Sequence, residues 1–571
     1  LQSALSSMLS AVNALLLLAG VVFGEYDKPQ IADAYKASGF IVFEHVPLKE
    51  PFTAYFDRKK GSSRIDFYDG LERILQLKRA TRRPIPKEGA TIKILWRPGH
   101  DNHRVPYLAC LQINGAPAEP VEPQSVFPSL DDFRYTGIER CSSGSSAVAN
   151  LPPGECYTWT LRFVELYRTN TYKFYARLEG SEYVPVRYVL SGRNSLFDRH
   201  VDICELIYTT YEPGPQPKHL FDAYQITVYE PCSWFFLMNR NYHRRAYNPM
   251  NEFIYHDERV LRRDFKRFKR RFRKRYRTPR EEQKRRSHFR HNMRIINSHN
   301  RRTRSYKLAI NHLADRHFSK QPYQCIKSQK QGYNGGQPFP AWKYANLSLP
   351  TEVDWRTKGI VTKVKDQAIC FSCWSFGVVG QLESMYARKH GRLLHFSEQQ
   401  LVDCSWDYDN FGCAGGFETG AFQYIMEHGL ATEEEYGPYL DVDSVCHDKE
   451  VGDLTIRRVV SFINVTGYHD VMTAVAHVGP VVAQMDSTVP SVWFYASGIF
   501  DDPECGDPEY ELSHIVLIVG YGETVRGTKY WIVKNSWSEY WGENGYMRIA
   551  MDGDRCGIAR SVTYGVLPGH E

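Results

Sequence analysis

The chain has 571 residues, 42% of them hydrophobic and 24% charged, with a formal net charge of +7. This length exceeds what one hydrophobic core usually organises, so about two to four domains are expected, and the composition excludes a wholly disordered, collagen-like or coiled-coil chain. The charge is local: from Arg259 to Arg304 there are 21 Lys/Arg against three acids (Asp264, Glu281, Glu282), a net +18 that leaves about −11 for everything else.

In chain order, the apolar run Ala14 to Phe23 ends at Gly24 and then at charge, which reads as a secretory signal peptide over residues 1–24, too short to span a bilayer. No other stretch approaches eighteen uninterrupted apolar residues, so a soluble secreted (extracellular) or lysosomal protein with no membrane span is expected, in a compartment where disulfides persist. The triplets Asn346-Leu347-Ser348 and Asn464-Val465-Thr466 are glycosylation acceptors for that route.

Residues 25–245 are rich in Tyr, Val and Thr, with strand-like runs at Ile92 to Trp96, Tyr157 to Val164, Tyr172 to Leu178, Tyr183 to Leu190 and Tyr224 to Tyr229. Turn signals at Arg168-Thr169-Asn170, Glu179-Gly180-Ser181 and Ser191-Gly192-Arg193 separate them, so a mainly-β sandwich or barrel is expected. Cys110, Cys141, Cys156, Cys204 and Cys232 lie here, and with Cys325 they make six, so that one bridge could tie this domain to the segment after it, the connectivity being undetermined. The region contains no catalytic motif or metal-ligand spacing, and its role is not legible.

From about 250 to 348 the basic segment is helical in pattern. Phe265, Phe268, Phe272 and Tyr276 recur at intervals of three and four, one aromatic stripe inside Lys/Arg-rich sequence. Nucleic-acid or heparin binding and a membrane-surface helix are two readings; a helix that docks its aromatic face and exposes its charge is favoured over both. Arg267-Phe268-Lys269-Arg270 contains a dibasic site of the convertase type. Glu281, Arg285, Phe289, Asn292, Ile296 and Asn300 also fall on one helical stripe.

The chemistry-bearing residues begin at Leu349. Gln367, Cys370 and Cys373 precede Trp374 and a helix-like run; Ser513-His514-Ile515 leads a strand; Lys534-Asn535-Ser536-Trp537 follows another. A thiol at a helix N-terminus is favoured as thiolate by the dipole and by a partner imidazolium, and the histidine needs a polar group to fix its tautomer.

These motifs, in this order, resemble the papain-like cysteine proteases of cathepsin L type over residues 250 to 571. The resemblance implies an α+β fold, with a papain-like two-lobe catalytic domain (helical left lobe, β-barrel right lobe) at 349–571 and a helical inhibitory propeptide before it. It assigns Cys373 as nucleophile, Gln367 to the oxyanion hole with the Cys373 N–H, His514 as base, Asn535 as its orienter and Trp537 as a shielding lid. It pairs Cys370 with Cys413, Cys404 with Cys446 and Cys505 with Cys556. Gly415 and Gly416 match the pair that hydrogen-bonds an extended substrate, and Phe417, Glu418, Gln484, Leu512, Ile515 and Ser561 match the S2 pocket. Glu418 and Gln484 are more polar than the family norm, so a basic or polar P2 residue is expected to be tolerated.

The stripe Glu281, Arg285, Phe289, Asn292, Ile296 and Asn300 matches the interspersed motif of cathepsin L-type propeptides, and Ala309 to Asp315 resembles the short motif after it. Such a segment runs through the cleft, so a latent zymogen is expected, released when acid protonates the carboxylates paired with its bases. Ala368-Ile369-Cys370-Phe371 stands where the family has Gly-Ser-Cys-Gly, and Phe371 is expected to narrow the cleft. The strand-rich extension gives the chain a layout similar to the secreted two-chain proteases of arthropods.

The expected activity is a cysteine-type endopeptidase (a thiol protease) acting on proteins and peptides, with its own propeptide and cystatin-type inhibitors as partners. The sequence leaves open whether the extension stays associated with the protease chain, and no nucleic acid, metal or cofactor is implied. Alternatives are a dipeptidyl peptidase resembling cathepsin C and a defence or binding protein whose N-terminal domain targets the protease.

Overall fold

A computed structural model describes residues 27–43, 48–78, 87–97, 107–117, 120–142, 154–165, 168–194, 199–222, 233–234, 250, 254, 259–302, 305–317, 334–452, 454–456, 459–506 and 512–569. The expected signal peptide at 1–24, the run Tyr224 to Tyr229, Cys232 and Cys325 lie outside them. The chain divides into two compact units, 1–93 with 111–258, and 94–110 with 259–571.

The N-terminal sheet is built on strands β1 (Ala34–Phe43), β2 (Leu48–Asp57), β3 (Ser62–Phe67), β4 (Glu72–Leu77), β5 (Ala90–Arg97), β6 (Tyr107–Asn114), β7 (Arg134–Arg140), β8 (Glu155–Glu165), β9 (Arg168–Glu179), β10 (Glu182–Asn194), β11 (Arg199–Pro213) and the two-residue β12 (Ser233–Trp234). They form one twelve-stranded sheet in the order β12-β6-β5-β4-β3-β2-β1-β11-β10-β9-β8-β7. Burial alternates along β1, the signature of a sheet with one face on a core. Tyr35, Phe56, Phe127 and Tyr208 fill part of that core, and the Tyr35 and Tyr208 hydroxyls are tied to the backbone of Val126.

Two of the expected turns are corrected. Ser191-Gly192-Arg193 runs inside β10, where the register against β11 slips at Gly192, so the glycine marks a bulge and not a chain reversal. Arg168-Thr169-Asn170 is likewise strand, the opening of β9. The six-cysteine reading is corrected too: Cys141 bridges Cys156, and Cys110 is disulfide-bonded, but Cys204 keeps its thiol in the core.

The second unit opens with helix α1 (Arg259–Arg271), helix α2 (Pro279–Arg302) and strand β13 (Tyr306–Leu308). Phe265 and Phe268 on α1 pack on Phe289 of α2, and Ile296 joins the same core. Phe268 is 3% exposed within α1, so the dibasic run around it is not presented as an extended cleavage site. The polar members of the α2 stripe clamp the returning chain: Asn292 Nδ2 donates to the carbonyls of Ala314 and Arg316, while Asn300 donates to Leu308 O and accepts from Leu308 N. β13 then adds as an antiparallel strand to β18 (Tyr495–Phe500), Asn311 Nδ2 donates to Trp493 O, and Phe272 meets Tyr540 edge-on. Residues 337–338, strand β14, pair in parallel with Ile463 and Asn464.

The rest of this unit has two lobes. Helices α3 (Cys373–His390), α4 (Glu398–Cys404) and α5 (Glu418–His428) gather around one core, in which Trp374, Phe396, Phe422 and Ile425 are buried. The other lobe carries β15 (Val353–Asp354), β16 (Ser461–Val465), helix α6 (Tyr468–His477), β17 (Val481–Met485), β18, β19 (His514–Glu523), β20 (Lys529–Lys534), β21 (Tyr546–Ala550) and β22 (Val562–Val566). These strands follow the path β13-β18-β21-β20-β19-β17-β22-β16-β14, with β15 on β19. Helix α3 is buried on nearly every face. It approaches β19 closely because Gly377 has no side chain, since a Cβ there would lie 2.7 Å from Ile515 Cγ2. The three bridges Cys370–Cys413, Cys404–Cys446 and Cys505–Cys556 are formed.

Candidate active site

Cys373 is the first residue of α3 and fully buried, with Ser372 at the N-cap. Its thiol therefore sits at the positive end of a helix dipole, where unsatisfied N–H groups favour an anion. The opposite wall is β19, whose first residue is His514, with β20 delivering Asn535 directly after Lys534. His514 Nε2 lies 2.8 Å from Asn535 Oδ1. The backbone N–H of Ser536 donates to that same oxygen at 2.8 Å, which fixes it as an acceptor, so His514 carries its proton on Nε2 and Nδ1 is the basic nitrogen. Trp537 stacks on the imidazole with ring centroids 4.7 Å apart and covers the pair.

Gln367 is held by the same short segment. Its N–H donates to Ser536 O at 2.8 Å, its Oε1 accepts from the Ser536 hydroxyl at 2.6 Å, and its Nε2 therefore points as a donor, here to Cys370 O at 2.9 Å. Ser536 thus orients both site amides, one with its backbone and one with its hydroxyl. The reading of the sequence missed this residue, although it lies between Asn535 and Trp537 in a motif already singled out.

The residues matched to S2 come together. Gln484 on β17 stands opposite Ile515 in the β17–β19 register, and its N–H donates to Ser561 O at 2.9 Å. Its Nε2 donates to both carboxyl oxygens of Glu418, at 2.8 and 3.0 Å. Glu418 opens α5 and is 1% exposed, and burial pushes its carboxyl above the usual range against the pull of the Gln484 amide. Phe417, Leu512 and Ile515 pack on the same core. Gly415 has φ +105°, and a Cβ on Gly416 would meet Asn410 Oδ1 at 2.4 Å and Trp374 Cε2 at 2.9 Å, so this strip of backbone stays bare.

Behind the site, a buried charge cluster joins the lobes. Lys365 Nζ donates to Glu383 of α3 at 3.1 Å and to Glu398 of α4 at 2.6 Å, while Lys534 donates to Thr362 at 2.9 Å and Thr362 to Glu383. Lys365, Glu383, Glu398 and Lys534 line one cavity with Gly377, Gly380, Asn535 and Ser536. Burial pushes the Glu398 carboxyl up to about 7 and the Lys534 ammonium down to about 8.

The comparisons with known proteins place the chain in a family. Residues 349–566 match the model of the papain family cysteine proteases and residues 265–319 that of the cathepsin propeptide inhibitor domain. Cathepsin L2 of Homo sapiens is 40% identical over 294 residues, which cover 50% of this chain and 86% of that protein. A cathepsin L-like peptidase of Aedes aegypti is 39% identical over 321 residues, covering 53% and 93%. The chain belongs to the papain family of cysteine proteases. Among solved structures it is similar to the digestive procathepsin L 3 of Tenebrio molitor larval midgut, with 34% identity and a TM-score of 0.49 over 54% of this chain and 99% of that one. It is a cathepsin L-like cysteine endopeptidase zymogen with an inhibitory propeptide, and the relatives found give the dipeptidyl peptidase alternative no support.

Two departures from the family pattern have a structural account. Ala368, where the family has glycine, sits at φ +54° in the left-handed region, which an alanine adopts only under strain. Phe371 is half-buried and packs against the helical lobe's core. Of the two glycosylation triplets, Asn346 is exposed, whereas Asn464 Nδ2 donates to Asn334 and lies against Gly336, leaving no room for a glycan while residues 334–338 are in place. The one cluster of metal-binding shape among the described residues is Cys404, Cys446 and Asp448, and its two sulfurs are joined in a disulfide. No helix among the described residues is long and apolar enough to cross a membrane.

Proposed function

We propose that Cys373 is the nucleophile and His514 Nδ1 its base, with Asn535 holding the imidazole and Gln367 Nε2 and the Cys373 N–H receiving the oxyanion. The supporting observation is the His514–Asn535–Ser536–Gln367 chain of hydrogen bonds beside a thiol at a helix N-terminus. The thiol gives its proton to Nδ1, and the thiolate sulfur bonds to the peptide carbonyl carbon. The tetrahedral oxyanion is stabilised by fixed donors, and as it collapses the C–N bond breaks and the imidazolium protonates the leaving amine. Water, deprotonated by His514, then splits the thioester and restores the thiol. The chain enters the secretory route, is cut near Gly24, acts extracellularly or in lysosomes, and matures to a protease beginning near Leu349.

Labelling tests the assignment. Acid-treated precursor with thiol and an epoxysuccinyl probe is expected to carry label on Cys373 and none in Cys373→Ala; label elsewhere, or none after propeptide removal, refutes it. The Glu418–Gln484 pair supports an S2 pocket that accepts Arg or Lys as well as apolar side chains. A peptide library is expected to show basic P2 residues among the preferred substrates near neutral pH, and Glu418→Met to lower their kcat/KM by about tenfold relative to Leu, the weight of one charge-assisted hydrogen bond.

A further inference from the structure

Helix α1 and the turn after it present a row of cations that the folded proenzyme leaves exposed. The aromatic stripe is turned inward: Phe265 and Phe268 are 2% and 3% exposed and lie 5.4 and 5.0 Å from the Phe289 ring. The few nearby acids are already engaged, Glu282 with Lys269, Asp315 with Lys274 and Glu281 with Arg285. Lys266, Arg270, Arg271, Arg273, Arg275 and Arg277 are exposed, and among the described residues no carboxylate forms an ion pair with their side chains, Glu281 meeting Arg277 only at its backbone N–H. From Arg271 onward burial alternates, so that an arginine faces solvent at every second residue while Phe272, Lys274 and Tyr276 turn in. The catalytic residues 349–571 have the opposite character, with 16 Lys/Arg against 32 Asp/Glu.

We propose that this arginine row is a docking site for a linear sulfated polysaccharide, which holds the proenzyme and lets the enzyme go when the propeptide is removed. Guanidinium groups take up sulfate oxygens as bidentate, charge-assisted pairs, and a row of them suits a linear polyanion. A single-stranded nucleic acid would call for exposed aromatic rings to stack on, and a membrane-surface helix for an exposed apolar face; here Phe265 and Phe268 are buried and Phe272 and Tyr276 pack partly buried against the same core. The catalytic part, at a net −16, repels the same ligand, so binding and latency are coupled. The proposal is independent of the roles given to Cys373 and His514.

The experiment compares three proteins on a heparin matrix and by titration with heparin: the full-length Cys373→Ala precursor, the acid-processed wild-type enzyme, and a Cys373→Ala precursor carrying R270Q, R271Q, R273Q and R275Q. The precursor is expected to be retained, with affinity falling steeply as salt rises, and the quadruple variant to bind about tenfold or more weakly, as loss of several counterion-releasing contacts dictates. The processed enzyme is expected to flow through. An unchanged melting temperature for the quadruple variant establishes that its fold is intact, and Arg→Lys at the same four positions is expected to bind between the precursor and the quadruple variant, because the charge is kept and the bidentate fork is lost. Equal binding by the quadruple variant, equal binding by the processed enzyme, or tighter binding to duplex DNA or phosphatidylserine vesicles than to heparin would overturn the proposal.

Discussion

At the scale of single residues, the site depends on groups whose geometry outweighs their identity. Ser536 bears no chemistry, yet its hydroxyl sets which end of Gln367 points as donor and its N–H sets which end of Asn535 accepts. Ser536→Ala removes the first of these and leaves the second. It is expected to lower kcat/KM about fivefold, the weight of one neutral hydrogen bond, with little change in KM. Ala368 makes the converse case. At φ +54° it carries a cost of about 1 kcal/mol that glycine would not, offset in part by the extra entropy of glycine in the unfolded chain. Ala368→Gly is therefore expected to raise stability by about 0.5 kcal/mol, seen as a higher denaturant midpoint at unchanged slope; a lower midpoint would mean that the left-handed backbone is not the strained element. Neither residue was legible as such in the sequence, because each acts through a backbone conformation or a neighbour. Cys373, His514 and Asn535 stood out because thiol, imidazole and amide chemistry restricts which residue types can serve.

At the scale of elements, the propeptide was legible in outline and its buried histidines were not. The α2 stripe combines buried Phe289 and Ile296 with two asparagines that bind returning backbone, so its spacing encodes a packed helix and a clamp together. Alternating runs such as Tyr183 to Leu190 gave correct strands, whereas Gly192 misled because a glycine signals either a turn or a bulge and only the partner strand decides. Acid release was expected to act through carboxylates paired with the propeptide's bases; the structure adds buried histidines. His299 packs tilted against Tyr306, its neighbours being Arg302 and Lys307, and His312 lies by Phe272 and Tyr540 with Arg316 and Lys274 close. Burial and these cations push both imidazoles down to about 3. A base whose docked pKa lies below its free value of about 6.5 favours docking fully above that pH, and the advantage is lost as pH falls from 6.5 toward 3. His299→Phe with His312→Phe is expected to slow activation at pH 5 several-fold while leaving inhibition at pH 7.5 intact. An unchanged pH profile of activation would return the switch to the carboxylates.

At the scale of the whole molecule, the charge that made the overall pI of 8.6 look basic is divided between parts that later separate. A propeptide stretch of net +18 faces a catalytic part of net −16, and the buried cluster of Lys365, Glu383, Glu398 and Lys534 repeats the theme inside the enzyme, where four residues far apart in sequence meet only once both lobes are folded. The interface contacts themselves are largely ring packing and backbone pairing, as at Phe272 with Tyr540 and β13 with β18, which salt hardly touches. Added to them is a long-range attraction between opposite net charges, and that part is screened. The screening length falls from about 10 Å at 0.1 M ionic strength to about 3 Å at 1 M, so raising salt removes the long-range part and spares the contacts. The isolated propeptide is therefore expected to inhibit the processed enzyme several-fold less tightly at 0.5 M than at 0.05 M ionic strength, with the change in the association rate and the dissociation rate nearly constant. A salt-independent association rate would place the whole of latency in the packed interface and leave the basic segment to serve partners outside the chain.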